Sequence, residues 1–179
     1  MNFSIYEQSQ KNEIIALYLA TFSASESKQE GEQVARLVTD FLAEPYPSTD
    51  LYVFVATDEQ RIVGAIVLSR LQFAHAKEVF LLSPVAVATD YQGQGIGQKL
   101  IQFGCDKLAE QNVSLVMTYG DINFYGKVGF SVVSEEIIQA PHSLSYPKGW
   151  LAKPVLDDEI LPITGKPSCL KPLDNPQLW

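Results

Sequence analysis

The sequence predicts an α+β fold, and three observations carry that prediction. Two stretches with helical spacing come before the main strands. Two apolar, β-branched runs then follow one another across a three-residue polar turn, as the arms of a hairpin do. A third such run, Phe80–Ala88, leads straight into the glycine-rich stretch Gln92–Gly97 and a further helix. The predicted order is helix, helix, hairpin, strand, loop and helix, strand, short helix, strand.

Residues 3–10 hold a short first strand. From Asn12 to Phe22 the apolar positions, Ile14, Leu17 and Phe22 among them, recur at helical spacing. Ser23–Ser27 is a polar break, in which Ser25 or Ser27 is placed to cap a second helix. That helix carries Glu30, Val34, Leu37, Val38, Phe41 and Leu42 on one face. It ends at Glu44-Pro45-Tyr46-Pro47, because proline cannot continue a helix.

Leu51–Thr57 and Arg61–Ser69 are the hairpin strands, joined by Asp58-Glu59-Gln60. Gly64 inside the second marks a bulge or a close backbone approach. Residues 70–77 form a polar connection with His75, and 78–88 form the strand that enters the loop. A helix from about Gly95 to Gln111 and a strand over Ser114–Tyr119 follow. After Phe130, Ser131–Gln139 reads as a strand. The remainder carries seven prolines, with room for one short strand near Gly149–Ala152. Its many apolar residues argue that it packs on the body.

The chain has 179 residues, enough for one domain with a sizeable core. It has no apolar run long enough for a membrane span, and its first residues lack the pattern of a signal peptide. Two cysteines, Cys105 and Cys169, are too few for a disulfide scaffold, and Cys105 reads as a core thiol on the third helix. A reduced, cytoplasmic setting is the expectation. The net charge of −8 and pI near 4.7 disfavour nucleic acid as a partner. They favour a cationic substrate such as an amine.

The glycine-rich stretch is the chemical centre of the sequence. A strand, a glycine turn and a helix N-terminus in succession present backbone N–H groups without intrahelical partners, at the positive end of the helix dipole. This is a site for phosphate or pyrophosphate. The spacing is not a Walker loop, since Lys99 is misplaced. It is not a dinucleotide fingerprint either, since Gln98 stands where the last glycine belongs. What fits is Gln-x-x-Gly-x-Gly, Gln92 through Gly97, directly after a valine-rich strand. About thirty residues on comes Tyr125-Gly126-Lys127-Val128-Gly129-Phe130.

These two motifs, in this order, resemble the acetyl-CoA loop and the Tyr-x-x-x-Gly-Phe signature of the GNAT superfamily of N-acetyltransferases. Gly120-Asp121 ahead of the aromatic pair is most similar to the branch exemplified by the YhbS-like proteins. The resemblance covers roughly residues 3–135. It implies a three-layer GNAT fold: a mixed, mostly antiparallel sheet of six to seven strands with helices on both faces. Residues 1–138 would be the acetyltransferase domain and 139–179 a proline-rich extension packed on it. It further implies transfer of an acetyl group from acetyl-CoA to a primary amine, with no metal. The first two helices would wall the acceptor site, and a homodimer is left open.

Residue by residue, the resemblance places the pyrophosphate on the N–H groups of Gln92, Gly93, Gln94, Gly95, Ile96 and Gly97, with Gln98 beside them. The edges of Val85 and Val87 would pair with the pantetheine amides, and the Val87 N–H, or its neighbour, would meet the thioester carbonyl. Pro84 suits a bulged or edge position. Tyr125 would return a proton to the leaving thiolate, since a phenol stays protonated at neutral pH. Asn123 is a further cofactor contact. For the base, Glu78, Glu30 and His75 are the candidates, with Glu78 on the strand before the loop.

The rival reading is a non-catalytic acyl-CoA-binding sensor. A mononucleotide-binding protein lacks its lysine and its acidic ribose partner. A hydrolase lacks the Gly-x-Ser-x-Gly elbow, and His75 and His142 show no metal spacing.

Overall fold

The computed structural model describes residues 1–43, 46–74, 78–156 and 159–179. Its centre is a seven-stranded sheet of order β1-β2-β3-β4-β5-β7-β6. The strands are β1 (Asn2–Ile5), β2 (Leu51–Asp58), β3 (Arg61–Leu71), β4 (Val79–Val87), β5 (Leu115–Tyr119), β6 (Ser131–Val132) and β7 (Trp150–Pro154). The helices are α1 (Lys11–Ser25), α2 (Lys28–Ala43), α3 (Ile96–Ala109) and α4 (Ile122–Tyr125). β4 and β5 run parallel, whereas β1–β2, β5–β7 and β6–β7 are antiparallel. The mixed sheet is the expected one. Among the described residues no helix is long and apolar enough to cross a membrane.

The chain divides into two compact units. The first comprises Met1–Val67 and Pro84–Gly104. Here α1 extends to Ser25, past the expected break, and Ser27 rather than Ser25 caps α2 by accepting the Glu30 N–H at 3.1 Å. Gly31 lets the two helices meet closely, for a Cβ there would lie 2.8 Å from Leu19 O. The β2–β3 turn holds Glu59 and Gln60 at φ 47° and 71°. Two positive values are what a two-residue hairpin needs to match the twist of its strands. Phe103 of α3 closes on Phe3 and Phe54 at ring separations of 6.0 and 5.5 Å.

The second unit comprises Leu68–Ser83 and Cys105–Trp179. β7 arises from the proline-rich extension, and the sheet accepts it as an inner strand. It pairs with β5 over five residues, Leu115↔Pro154 to Tyr119↔Trp150, and with β6 on its other edge. The expected strand over Ser131–Gln139 is cut to Ser131–Val132, beyond which Ile137 and Ile138 turn back to bond Ser134 O. Trp150 is fully buried and donates its indole N–H to Ile138 O at 2.9 Å. Trp179 packs edge-on against it at 6.0 Å. Cys105 is buried, as expected of a core thiol.

Trp150→Ala removes both the ring and the donor to Ile138 O. Its unfolding free energy in urea should fall by about 3–5 kcal/mol.

Candidate active site

Along a strand, successive N–H groups point to opposite edges. The Ala88 N–H donates to Val63 O at 2.8 Å, towards β3. Val87 and Val85 therefore turn their backbone groups to the other edge of β4. On that edge the register with β5 runs only from Val79↔Leu115 to Leu82↔Thr118. Their side chains are half-buried, while Pro84, Ala86 and Ala88 between and beside them are buried.

Pro84 has no N–H to give β3. The buried Tyr18 hydroxyl lies 2.9 Å from Ala65 O and 3.0 Å from Pro84 O, and brings a donor to that edge. The far end of β4 is closed by Gln92, whose side-chain amide donates to Val87 O at 3.0 Å, with Thr21 Oγ1 at 3.5 Å from the same oxygen. Gln94 similarly donates to Asp90 O at 3.2 Å. The two glutamine side chains thus brace the loop from within.

Gly93 and Gly95 take φ of 74° and 75°, the left-handed region that a Cβ disfavours. A Cβ at either would meet nothing within 4 Å, so dihedral need rather than crowding calls for glycine. The Gln92 N–H is already donated to Thr89 O at 3.3 Å, which narrows the expected anion cradle to Gly93–Gln98. Gly95 O accepts the Lys99 N–H at 3.0 Å, so the helix begins here, with no acidic residue in its first turn. Tyr91, just before the loop, is fixed to the hairpin by its hydroxyl bond to Asp58 at 3.1 Å. A cavity of about 380 Å³ lies beside the same connection, lined by Glu13, Leu17, Thr21, Arg61 and Thr89.

The second unit holds Tyr125. Its helix is capped by Asp121, whose carboxylate accepts both the Asn123 N–H and the Asn123 side-chain amide at 2.9 Å. Asn123, the expected cofactor contact, is thereby engaged in the cap. Gly129 has φ of 91°, which ends the turn and returns Phe130 to the interior, 5.6 Å from the Tyr125 ring. The signature spacing is thus a chain reversal that packs an aromatic behind the tyrosine. Burial raises the Tyr125 phenol above its ordinary value of 10; a hydrogen bond with Thr118 works the other way. Thr118 is itself anchored on Leu82 O at 2.8 Å.

Thr118 and Gly120 also surround Tyr125, and neither belongs to either of the two motifs, Gln92–Gly97 and Tyr125–Phe130. A threonine inside the apolar run of β5 was the available signal for the first. A Cβ on Gly120 would lie 2.6 Å from the Tyr125 ring, so glycine there is what admits the ring.

Glu78 requires a correction. It precedes Val79 at the start of β4, at the opposite end of the strand from Val87, and its carboxylate is held by Arg70. A paired carboxylate there is ill placed to take a proton at the loop end. Glu30 lies in the first turn of α2. His75 lies outside the described residues.

A family model of the GNAT acetyltransferase domain matches residues 49–132. The uncharacterized N-acetyltransferase YjhQ of Escherichia coli K12 is 30% identical over 131 residues, spanning 72% of this chain and 68% of its own. YhbS of the same strain is 29% identical over 107 residues, 59% of this chain and 62% of its own. Among solved structures, E. coli YhbS in complex with CoA superposes with a TM-score of 0.80 at 22% identity, covering 97% and 92% of the two chains. A GNAT acetyltransferase from Brucella melitensis in complex with acetyl-CoA does so at 0.65 and 21% identity, covering 94% and 93%. These superpositions establish a common fold.

Gly120→Ala forces a methyl group into the space of the Tyr125 ring. It should lower the unfolding free energy by about 1–3 kcal/mol, read from a urea transition.

Proposed function

Because the chain belongs to the GNAT family of acetyltransferases, we propose that it moves an acetyl group from acetyl-CoA to a primary amine, directly, within a ternary complex. The observation that carries the reading is the pair of left-handed glycines opening α3 at the end of β4. The loop offers N–H groups for a pyrophosphate at the positive end of a helix, with no carboxylate in the first turn. β4 offers the backbones of Val85 and Val87 on the edge where the register with β5 has ended. An extended pantetheine arm can pair there as an added strand would. Relatives of the same fold, E. coli YhbS and the Brucella protein, were solved with CoA and acetyl-CoA.

In this reading the amine attacks the thioester carbon. Charge on the carbonyl oxygen is met by the Val87 N–H, a preformed dipole. The C–S bond breaks and the thiolate takes its proton from Tyr125. A phenol held above its ordinary value by burial suits that task, since it arrives protonated at neutral pH. Glu30, on α2, is the remaining described candidate for the base. The acidic balance of the chain favours a cationic acceptor, either a small amine or a peptide amine.

Isothermal titration with acetyl-CoA and with CoA tests the donor site. Micromolar binding by the wild type should vanish in Gly95→Trp, which should stay folded while losing about 1–2 kcal/mol of stability to the left-handed backbone at that position. Failure of the wild type to bind either ligand would overturn the reading.

Tyr125→Phe tests the acid. Its kcat should fall about 100-fold or more while acetyl-CoA affinity is kept. An acid works only while protonated, so the Tyr125-dependent rate should be flat through neutral pH. It should be lost as pH rises through a value above 10, and the Tyr125→Phe enzyme should lack that alkaline limb. Equal turnover by the two proteins would leave Tyr125 a packing residue.

A further inference from the structure

The proline-rich extension gathers three side chains that the spacing of the sequence keeps apart. His142, Cys169 and Asp174 each offer one ligand atom, and these atoms lie within 4.8 Å of one another. We propose that they form a zinc site that fastens the two ends of the extension together.

The donor set argues for that ion. One imidazole nitrogen, one thiolate and one carboxylate oxygen are a mixed set of the kind that binds Zn²⁺. Calcium and magnesium take oxygen ligands, so the sulfur and nitrogen count against them. Tetrahedral zinc with bonds of this type separates its ligand atoms by roughly 3.4–3.7 Å. The separations found here, from 2.8 Å up to 4.8 Å, bracket that spacing. His142 Nε2 and Asp174 Oδ1 now touch at 2.8 Å across the hydrogen that a metal ion would replace.

The backbone holds each ligand from a fixed point. Ser168 exchanges two hydrogen bonds with Gln72, both at 2.9 Å, and so anchors Cys169 immediately after it. Asp174 closes a 3-10 turn by donating its N–H to Lys171 O at 3.1 Å. The Trp179 indole donates to Leu173 O at 3.0 Å, and its ring lies 6.3 Å from that of His142. Ser145, three residues past His142, donates to Trp179 O. The Asp174 side chain is 66% exposed and that of His142 20%, so the site opens to solvent on the carboxylate side. Water would complete the coordination there, as it does in three-ligand zinc sites.

The second thiol makes the test clean. Cys105 is buried in α3, only 2% exposed, so a metal–sulfur signal would report Cys169. The untagged full chain, first stripped with EDTA, is titrated with Zn²⁺ by calorimetry and with Co²⁺ by absorption. One equivalent should bind. Cobalt should give a thiolate charge-transfer band in the near ultraviolet, and zinc should raise the melting temperature. Cys169→Ser should abolish the band, and Asp174→Asn, a change at an exposed position, should weaken zinc binding about tenfold or more. Cys105→Ser should change neither. No binding by the wild type, or binding unaltered in Cys169→Ser and Asp174→Asn, would overturn the proposal. Acetyl-CoA binding is measured beside it, so that failure here is told apart from failure of the acetyltransferase reading.

Discussion

A strand has two hydrogen-bonding edges, and β4 uses them unequally. Its register with β5 stops at Leu82, yet the strand continues for five more residues. An inner strand with an open stretch is costly unless its polar groups find other partners. Gln92 manages this at the open edge, and Tyr18 at the edge shared with β3. Tyr18 brings a donor where Pro84 supplies none, and Gln92 closes over Val87 O. What they leave is a short, held length of backbone ending in a helix N-terminus. The functional reading depends on that length more than on any side chain.

This explains what could be read in advance. The glycine loop was legible because left-handed backbone at residues 93 and 95 restricts the choice of residue. The Tyr-x-x-x-Gly-Phe spacing was legible for the same reason, since Gly129 at φ 91° is the pivot that returns Phe130 to the core. The hairpin and both early helices showed because their periods are local. Constraints that act through backbone dihedrals or nearest turns leave a trace in the residues themselves.

Long-range partners left none. Nothing in Trp150–Pro154 announces that it lies between β5 and β6, or that Ser131–Gln139 keeps only two strand residues because it must turn to let Ile138 O meet the Trp150 indole. Glu78 stands next to the strand in the sequence, but its carboxylate is held by Arg70, eight residues earlier. His142 and Cys169 are 27 residues apart across a stretch rich in proline. Their approach depends on the Gln72–Ser168 bridge and the Trp179 contacts, neither of which has a sequence signature.

The surroundings of Tyr125 bear on enzyme against sensor. A loop that binds an acyl donor needs no half-buried phenol. Here β5 and the residues after it are shaped around one. Thr118, anchored on Leu82 O, bonds the hydroxyl, Gly120 omits the Cβ that would collide with the ring, and Phe130 is returned behind it. A purely structural aromatic would be served by phenylalanine, without a polar partner placed inside an apolar strand. Burying Thr118 for a hydroxyl has a desolvation cost that packing alone does not require. That cost makes sense where the proton on the hydroxyl is used, and it is the physical reason for preferring turnover to binding alone.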